Sequence, residues 1–252
     1  MWTVMKEEKG FSLVELIVAI FVASLVLTAI YSFLNMSFRS SSGIERRIIA
    51  QQDARGVLEL MAAEIRMASY NPDSLQGLWV NASACTGTAA SQINRGIQEA
   101  SADAIAIEMD IRDPSDPDAN GNGAIDAPQE IIKYNYDKAN RRITRETGNG
   151  SNCGGQQSLL GGNNEKAKTV SVENDAAGIP VFRYFNGSGA DISATVAAGS
   201  TDLTLGIPAI RRIEITLVVD TSSRDVGQQT PRRIIYSTSV IPRNHFTMLY
   251  TE

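Results

Sequence analysis

The chain has 252 residues, 28 acidic and 23 basic, with one histidine and a net charge of −5. That mildly acidic balance has no basic stripe and implies no nucleic-acid partner, while the length leaves room for a single core of ordinary size. Two cysteines, Cys85 and Cys153, are too few for a disulfide scaffold, and their spacing to each other and to His245 fits no zinc pattern.

An apolar run extends from Phe11 to about Leu34, and a bilayer span needs roughly 20 such residues. The run carries one acid, Glu15, near its start. A carboxylate inside a membrane costs about 2.5–3.5 kcal/mol on insertion scales, so Glu15 is a functional candidate. A secretory signal peptide would have an apolar core of roughly 7–15 residues and a small-residue cleavage site. Here the run is longer, and Asn35-Met36-Ser37-Phe38-Arg39 follows it. An ordinary anchor explains the run but neither Glu15 nor the Gly10-Phe11 junction. The stretch Lys9-Gly10-Phe11-Ser12-Leu13-Val14-Glu15-Leu16 resembles the class III signal of type IV pilins and pseudopilins. The resemblance implies that prepilin peptidase cuts after Gly10 and methylates Phe11, keeping the apolar segment. It also gives Glu15 a part in subunit assembly with other major and minor pilins. The chain would first sit as a single-pass inner-membrane protein with a periplasmic globular domain, and later in a pilus.

Helical periodicity continues past the apolar run. Ile44, Ile48, Ala54, Leu58, Met61, Ile65 and Ala68 recur close to the helical period, with Arg46, Arg47, Gln51, Asp53, Arg55, Glu59, Glu64 and Arg66 on the other faces. Ser40-Ser41-Ser42-Gly43 are poor helix formers, where the helix could bend, thin or end. Asn71-Pro72 closes it. The expected organisation is a leader over 1–10, a transmembrane helix over 11–34, its amphipathic continuation over 35–70 and a globular domain over 71–252.

Short β-type segments follow. Residues 104–111 alternate as a strand, 131–136 and 141–145 form a hairpin through Asp137-Lys138-Ala139-Asn140, and 181–185, 210–219 and 233–241 are further strands. The Gly/Asn/Ser-rich tracts 86–95 and 147–164 read as loops. The expected class is α+β, a long helix on one antiparallel sheet. Leu58-Glu59-Leu60-Met61-Ala62-Ala63-Glu64-Ile65-Arg66-Met67-Ala68-Ser69-Tyr70-Asn71-Pro72, Asp103-Ala104-Ile105, the 134–145 hairpin and Ser237-Thr238-Ser239-Val240-Ile241-Pro242-Arg243-Asn244 are similar to the PilW-like branch of minor pilins, relatives of the GspJ-type pseudopilins. Ser69 stands where that family is expected to have glycine. The resemblance implies a pilin-like fold and a minor pilin that starts or assists assembly of a type IV pilus at or near its tip. A pseudopilin of a type II secretion system and a pilus-tip adhesin or ligand-binding module remain alternatives.

In an oxidising periplasm Cys85 and Cys153 are expected to pair. Asp118-Ala119-Asn120-Gly121-Asn122-Gly123-Ala124-Ile125-Asp126 follows the front of an EF-hand-type calcium loop, within an acidic stretch spanning 113–130. Calcium takes six to eight oxygens at roughly 2.3–2.6 Å. In this register Asp118, Asn120 and Asn122 give side-chain oxygens, Ala124 gives its carbonyl, and Asp126 contributes directly or through water. Gly123 turns the chain and Ile125 anchors it. Gln129 stands at the twelfth place instead of a bidentate glutamate, with Glu130 one place late. The same residues also build a turn without metal. No enzyme motif appears, and His245 reads as a surface or strand residue. Tyr134 and Tyr136 read as a core or sheet-surface stripe. The pairs Arg46-Arg47, Arg141-Arg142, Arg211-Arg212 and Arg232-Arg233 read as solvated faces or inter-subunit partners.

Overall fold

The computed structural model describes Gly10 and residues 12–81, 86–89, 91–111, 121–162, 170–221 and 233–246. The chain divides into two units after Glu45.

Helix α1 (Leu13–Met67) opens at Ser12. The Ser12 hydroxyl accepts the Val14 N–H at 3.4 Å, and Glu15 accepts the Ser12 N–H at 2.9 Å. This reciprocal S-x-x-E pairing satisfies donors that a first helical turn leaves free. Residues Leu13–Phe38 are long and apolar enough to cross a membrane, and their large apolar side chains are exposed. Ser24, Thr28 and Ser32 donate to the carbonyls of Phe21, Ser24 and Thr28 at 2.7, 2.8 and 2.9 Å. Those hydroxyls therefore need no water, which suits a lipid setting. The helix does not end at residues 40–43.

In the second unit, Ala54, Leu58, Met61 and Ile65 of α1, and Ala68 just past its end, are buried at the spacing the sequence predicts, and Ala50 joins them. Ile44 and Ile48, expected to extend that stripe, are exposed. The helix stops three residues before the predicted Tyr70. Ser69 has φ +65°, a left-handed conformation that commonly closes helices and favours glycine.

Eleven described strands follow: β1 (Val80–Asn81), β2 (Thr86–Ala89), β3 (Ile97–Ala100), β4 (Ala104–Glu108), β5 (Ile131–Asp137), β6 (Arg142–Gly148), β7 (Gln157–Gly161), β8 (Val170–Val172), β9 (Phe182–Phe185), β10 (Arg212–Thr221) and β11 (Arg233–Val240). All pairings between them are antiparallel. The α+β class holds, but the one expected sheet is two, plus a β1–β2 ribbon. One sheet has the order β3-β4-β5-β6-β7; in the other β10 pairs with β11, β8 and β9. The β5–β6 hairpin forms as predicted, with Asp137 opposite Arg142 and the Asp137 carboxylate accepting the Asn140 N–H at 3.1 Å.

The tracts 86–95 and 147–164 are not wholly loops: they contain β2, a 3-10 turn (Gln92–Asn94) and β7. Leu159 and Leu160 lie among glycine, glutamine and serine, so β7 owes its form to pairing with β6 rather than to local propensity.

One apolar cluster joins α1 to both sheets through Met61 and Ile65, Ile105, Ile132 and Tyr134, and Phe182, Ile213 and Leu217. Each fully buried aliphatic side chain is worth about 1.5–3 kcal/mol. Tyr134 and Tyr136 are both core residues. Glu64 of α1 holds Arg145 of β6 at 2.7 and 3.0 Å and accepts the Tyr134 hydroxyl. Burial and then the Glu64 carboxylate push the Tyr134 phenol far above its ordinary pKa. The Arg55 guanidinium lies 5.7 Å from the Tyr236 ring of β11, so the helix also meets the second sheet through a cation–π contact.

Candidate functional site

Gly10 is exposed, with open space where a side chain would stand. Phe11 lies outside the described residues. In the capping box Glu15 occupies a helix N-terminus, where a carboxylate also interacts favourably with the helix dipole. The S-x-x-E spacing was legible in Ser12-Leu13-Val14-Glu15, yet the expectation for Glu15 did not use it.

Of the expected calcium ligands, Asp118 and Asn120 lie outside the described residues. Asn122, Ala124, Asp126, Gln129 and Glu130 share one loop. Gly123 has φ +78° and Ile125 is buried against Leu78, Trp79, Ala106 and Ile131, the turn and anchor that the pattern calls for. Asn122 accepts the Ala124 N–H and donates to the Asp126 carboxylate, each at 3.1 Å. Glu130 is fully buried. Its carboxylate accepts the N–H groups of Ile111, Asp126 and Ala127 at 3.1, 2.8 and 2.8 Å. Among the described residues no three His, Cys, Asp or Glu side chains gather as a metal-binding group.

Two acids that the sequence did not single out organise the same region. Asp110, fully buried, accepts the N–H groups of Asn122 and Gly123 at 3.1 and 2.9 Å. A Cβ at Gly121, where φ is +94°, would run into the Asp110 carboxylate, so glycine is required there for close approach. Glu108, also fully buried, accepts the Val80 N–H at 3.2 Å, and among the described residues its other oxygen has no hydrogen-bond partner. Burial pushes the Glu108 carboxyl up to about 9, so it is neutral at neutral pH. Alternation in β4 places Glu108 on the same face as Ala104 and Ala106, and Leu78, Trp79 and Ile125 pack on that face at Ala106. Only long-range packing reveals this.

Of the two cysteines, Cys153 bridges to Gly148 as an isolated antiparallel pair, whereas Cys85 lies outside the described residues. His245 is neither a surface nor a strand residue. It follows β11 and is 1% exposed, with Nδ1 2.8 Å from the Ser69 hydroxyl and Nε2 2.9 Å from the Ile207 carbonyl. Arg141, Arg142 and Arg233 pair within the chain, with Glu173, Asp137 and Asp220, and the Arg212 guanidinium lies 3.6 Å from the Phe185 ring centre. These basic groups therefore have intrachain partners, while Arg141 and Arg233 stay exposed to solvent.

Residues 5–31 match the prokaryotic N-terminal methylation motif. The match contains Gly10, Phe11 and Glu15, and it is a type IV pilin leader at the edge of a candidate membrane helix. Such a leader implies processing by prepilin peptidase and assembly with other pilins. A type IV-like pilin from Thermus thermophilus is similar in structure, with 11% identity and a TM-score of 0.44, over 78% of this chain and 97% of that one. No curated protein sequence matches the chain.

Proposed function

We propose that this chain is a minor pilin of PilW-like type, a structural rather than an enzymatic protein, that helps to initiate a type IV pilus at or near its tip. The observation that carries the reading is the methylation motif over residues 5–31, running into helix α1. Prepilin peptidase cuts after Gly10 and methylates Phe11. Residues 11–34 hold the protein in the inner membrane, with the globular part in the periplasm, until it enters the filament. Cleavage leaves an amine at Phe11, one helical turn from Glu15. In low dielectric the two attract strongly, within one chain or between a subunit and its neighbour. Glu15 then exchanges its capping bond to Ser12 for that amine.

Mass spectrometry of the mature protein tests the processing: a start other than Phe11 overturns it. Glu15→Ala is expected to insert and be cleaved but to enter filaments poorly. Deleting the gene should remove surface fibres and twitching; a secretion defect with fibres intact would instead identify a type II pseudopilin. Intact assembly with lost surface binding would identify a tip adhesin.

Two further features belong to the same reading. The acidic loop binds one calcium ion through Asp118, Asn120, Asn122, the Ala124 carbonyl and Asp126, with Gln129 at the twelfth place and Glu130 beside it. The turn at Gly123 and the buried Ile125 support that register. Cys85 and Cys153 form one disulfide. Its support is that among the described residues no cysteine is free. Closing so long a loop stabilises by about 4 kcal/mol in the chain-entropy model. Non-reducing peptide mapping decides it, and two free thiols refute it.

A further inference from the structure

We propose that a groove beyond the C-terminal end of helix α1 docks an extended segment of a partner protein in which acidic residues alternate with apolar ones. The groove encloses about 950 Å³ and is walled by parts of segments 69–77, 92–95 and 243–246, with Trp79 and Leu203. Its walls are pinned to one another before any partner arrives. The His245 ring bridges the Ser69 hydroxyl and the Ile207 carbonyl, and the Arg95 guanidinium donates to the Phe246 carbonyl. A preformed groove loses little freedom on binding.

Three observations define the occupant. Leu75, Ile93, Leu203 and Phe246 all line this one concavity and are 46–60% exposed. Single exposed apolar side chains are ordinary, but four around one groove mark a contact surface. The lining also contains Arg95 and Arg243 and no acid, in a chain whose net charge is −5. Neither guanidinium pairs with a carboxylate among the described residues. Lastly, the side-chain amides of Gln76 and Asn244 make no hydrogen bond among the described residues, so they can serve a peptide backbone. Small-molecule sites bury most of their ligand. Exposed apolar walls with uncommitted amides and guanidinium groups that face no carboxylate fit a polypeptide carrying both carboxylates and apolar side chains better, because charge complementarity sets its orientation.

The test uses the full chain with Trp2→Phe in lipid nanodiscs, so that Trp79 is the single tryptophan reporter. A capped peptide Leu-Glu-Phe-Glu-Leu is titrated against it and compared with Leu-Lys-Phe-Lys-Leu. The acidic peptide is expected to bind saturably, and the basic one on the order of tenfold more weakly. Arg243→Glu, at an exposed position with no partner to lose among the described residues, should reverse that order, and Ile93→Asp should weaken the acidic peptide. The absence of saturable binding, or equal binding of both peptides, overturns the proposal. Equal competition by octanoate overturns the peptide as occupant in favour of a small amphipathic acid. Binding that appears only after residues 247–252 are removed overturns an external partner in favour of this chain's own end.

Discussion

His245 makes the stability of the globular unit depend on pH in a calculable way. The Ile207 carbonyl can only accept, so Nε2 carries the proton and Nδ1 accepts from the Ser69 hydroxyl, which itself accepts the Gly96 N–H at 3.1 Å. The bonds form a closed chain with no place for a second imidazole proton. The nearest charged groups are cationic: Arg211, whose guanidinium donates to the His245 carbonyl at 3.1 Å, and Arg95. Burial, and then those two cations, hold the imidazole at about 4 against an ordinary 6.5. The folded value is the depressed one, so the unfolded chain takes up the proton first as pH falls. The contribution of His245 is therefore complete above the unfolded value, declines between 6.5 and about 4, and is lost once pH falls through the folded value. The whole difference is worth about 3 kcal/mol, most of it gone by about pH 4.5.

Urea unfolding of the wild type and of His245→Gln, followed by tryptophan emission at about pH 8 and about pH 4.5, isolates this effect, since the carboxylates titrate in both proteins. His245→Gln is less stable at the higher pH, because it disturbs buried hydrogen bonds. The gap should shrink by about 2–3 kcal/mol at the lower pH. Parallel pH profiles for the two proteins would refute the burial argument.

Other perturbations read other parts of the molecule. Glu64→Ala strands the Arg145 guanidinium and the Tyr134 hydroxyl between helix and sheet, and thermal unfolding should show a loss of about 3 kcal/mol or more. Glu108→Gln acts in the opposite sense. The raised carboxyl favours folding below its unfolded value of 4.5, and that advantage is lost as pH rises toward about 9. The glutamine variant should therefore be the more stable by a few kcal/mol at about pH 8, with urea midpoints converging near pH 5. With Gln129 at the twelfth place, the acidic loop should bind calcium only in the range of about 10⁻⁴–10⁻³ M. Millimolar calcium should raise the melting temperature of the full chain relative to chelator, and Asp118→Ala should abolish the rise; no shift and no heat of binding would leave an ordinary turn.

Elements whose signal is local were legible in the sequence. The apolar run, the 3.6-residue stripe from Ala54 to Ala68 and the hairpin around Asp137 and Asn140 each depend on a short window of residues. What escaped depends on partners far away in the chain. The strand β7 forms against β6 although its own residues favour a loop, and the β4 face that carries Ala106 and Glu108 is buried by segments near Leu78 and Ile125. His245 likewise meets Ser69 across a separation of 176 residues. Ser12 and Glu15 are the exception: their S-x-x-E signal is local, yet the cost of a carboxylate in an apolar run points to assembly rather than to capping.

Ser69 brings the local and the distant together. Its φ of +65° costs an L-residue about 1–2 kcal/mol. Yet its hydroxyl links the Gly96 N–H to His245, and an unpaired buried group costs about 1–3 kcal/mol. Two such groups outweigh one strained dihedral, so Ser69→Gly should destabilise the protein although it relieves the backbone. Ser69→Ala loses the same bonds and keeps the strain, and should therefore be worse than glycine by about 1 kcal/mol. Urea midpoints of the three proteins separate the two terms. A glycine variant more stable than the wild type would mean that the serine–histidine bridge is worth less than the strain it imposes.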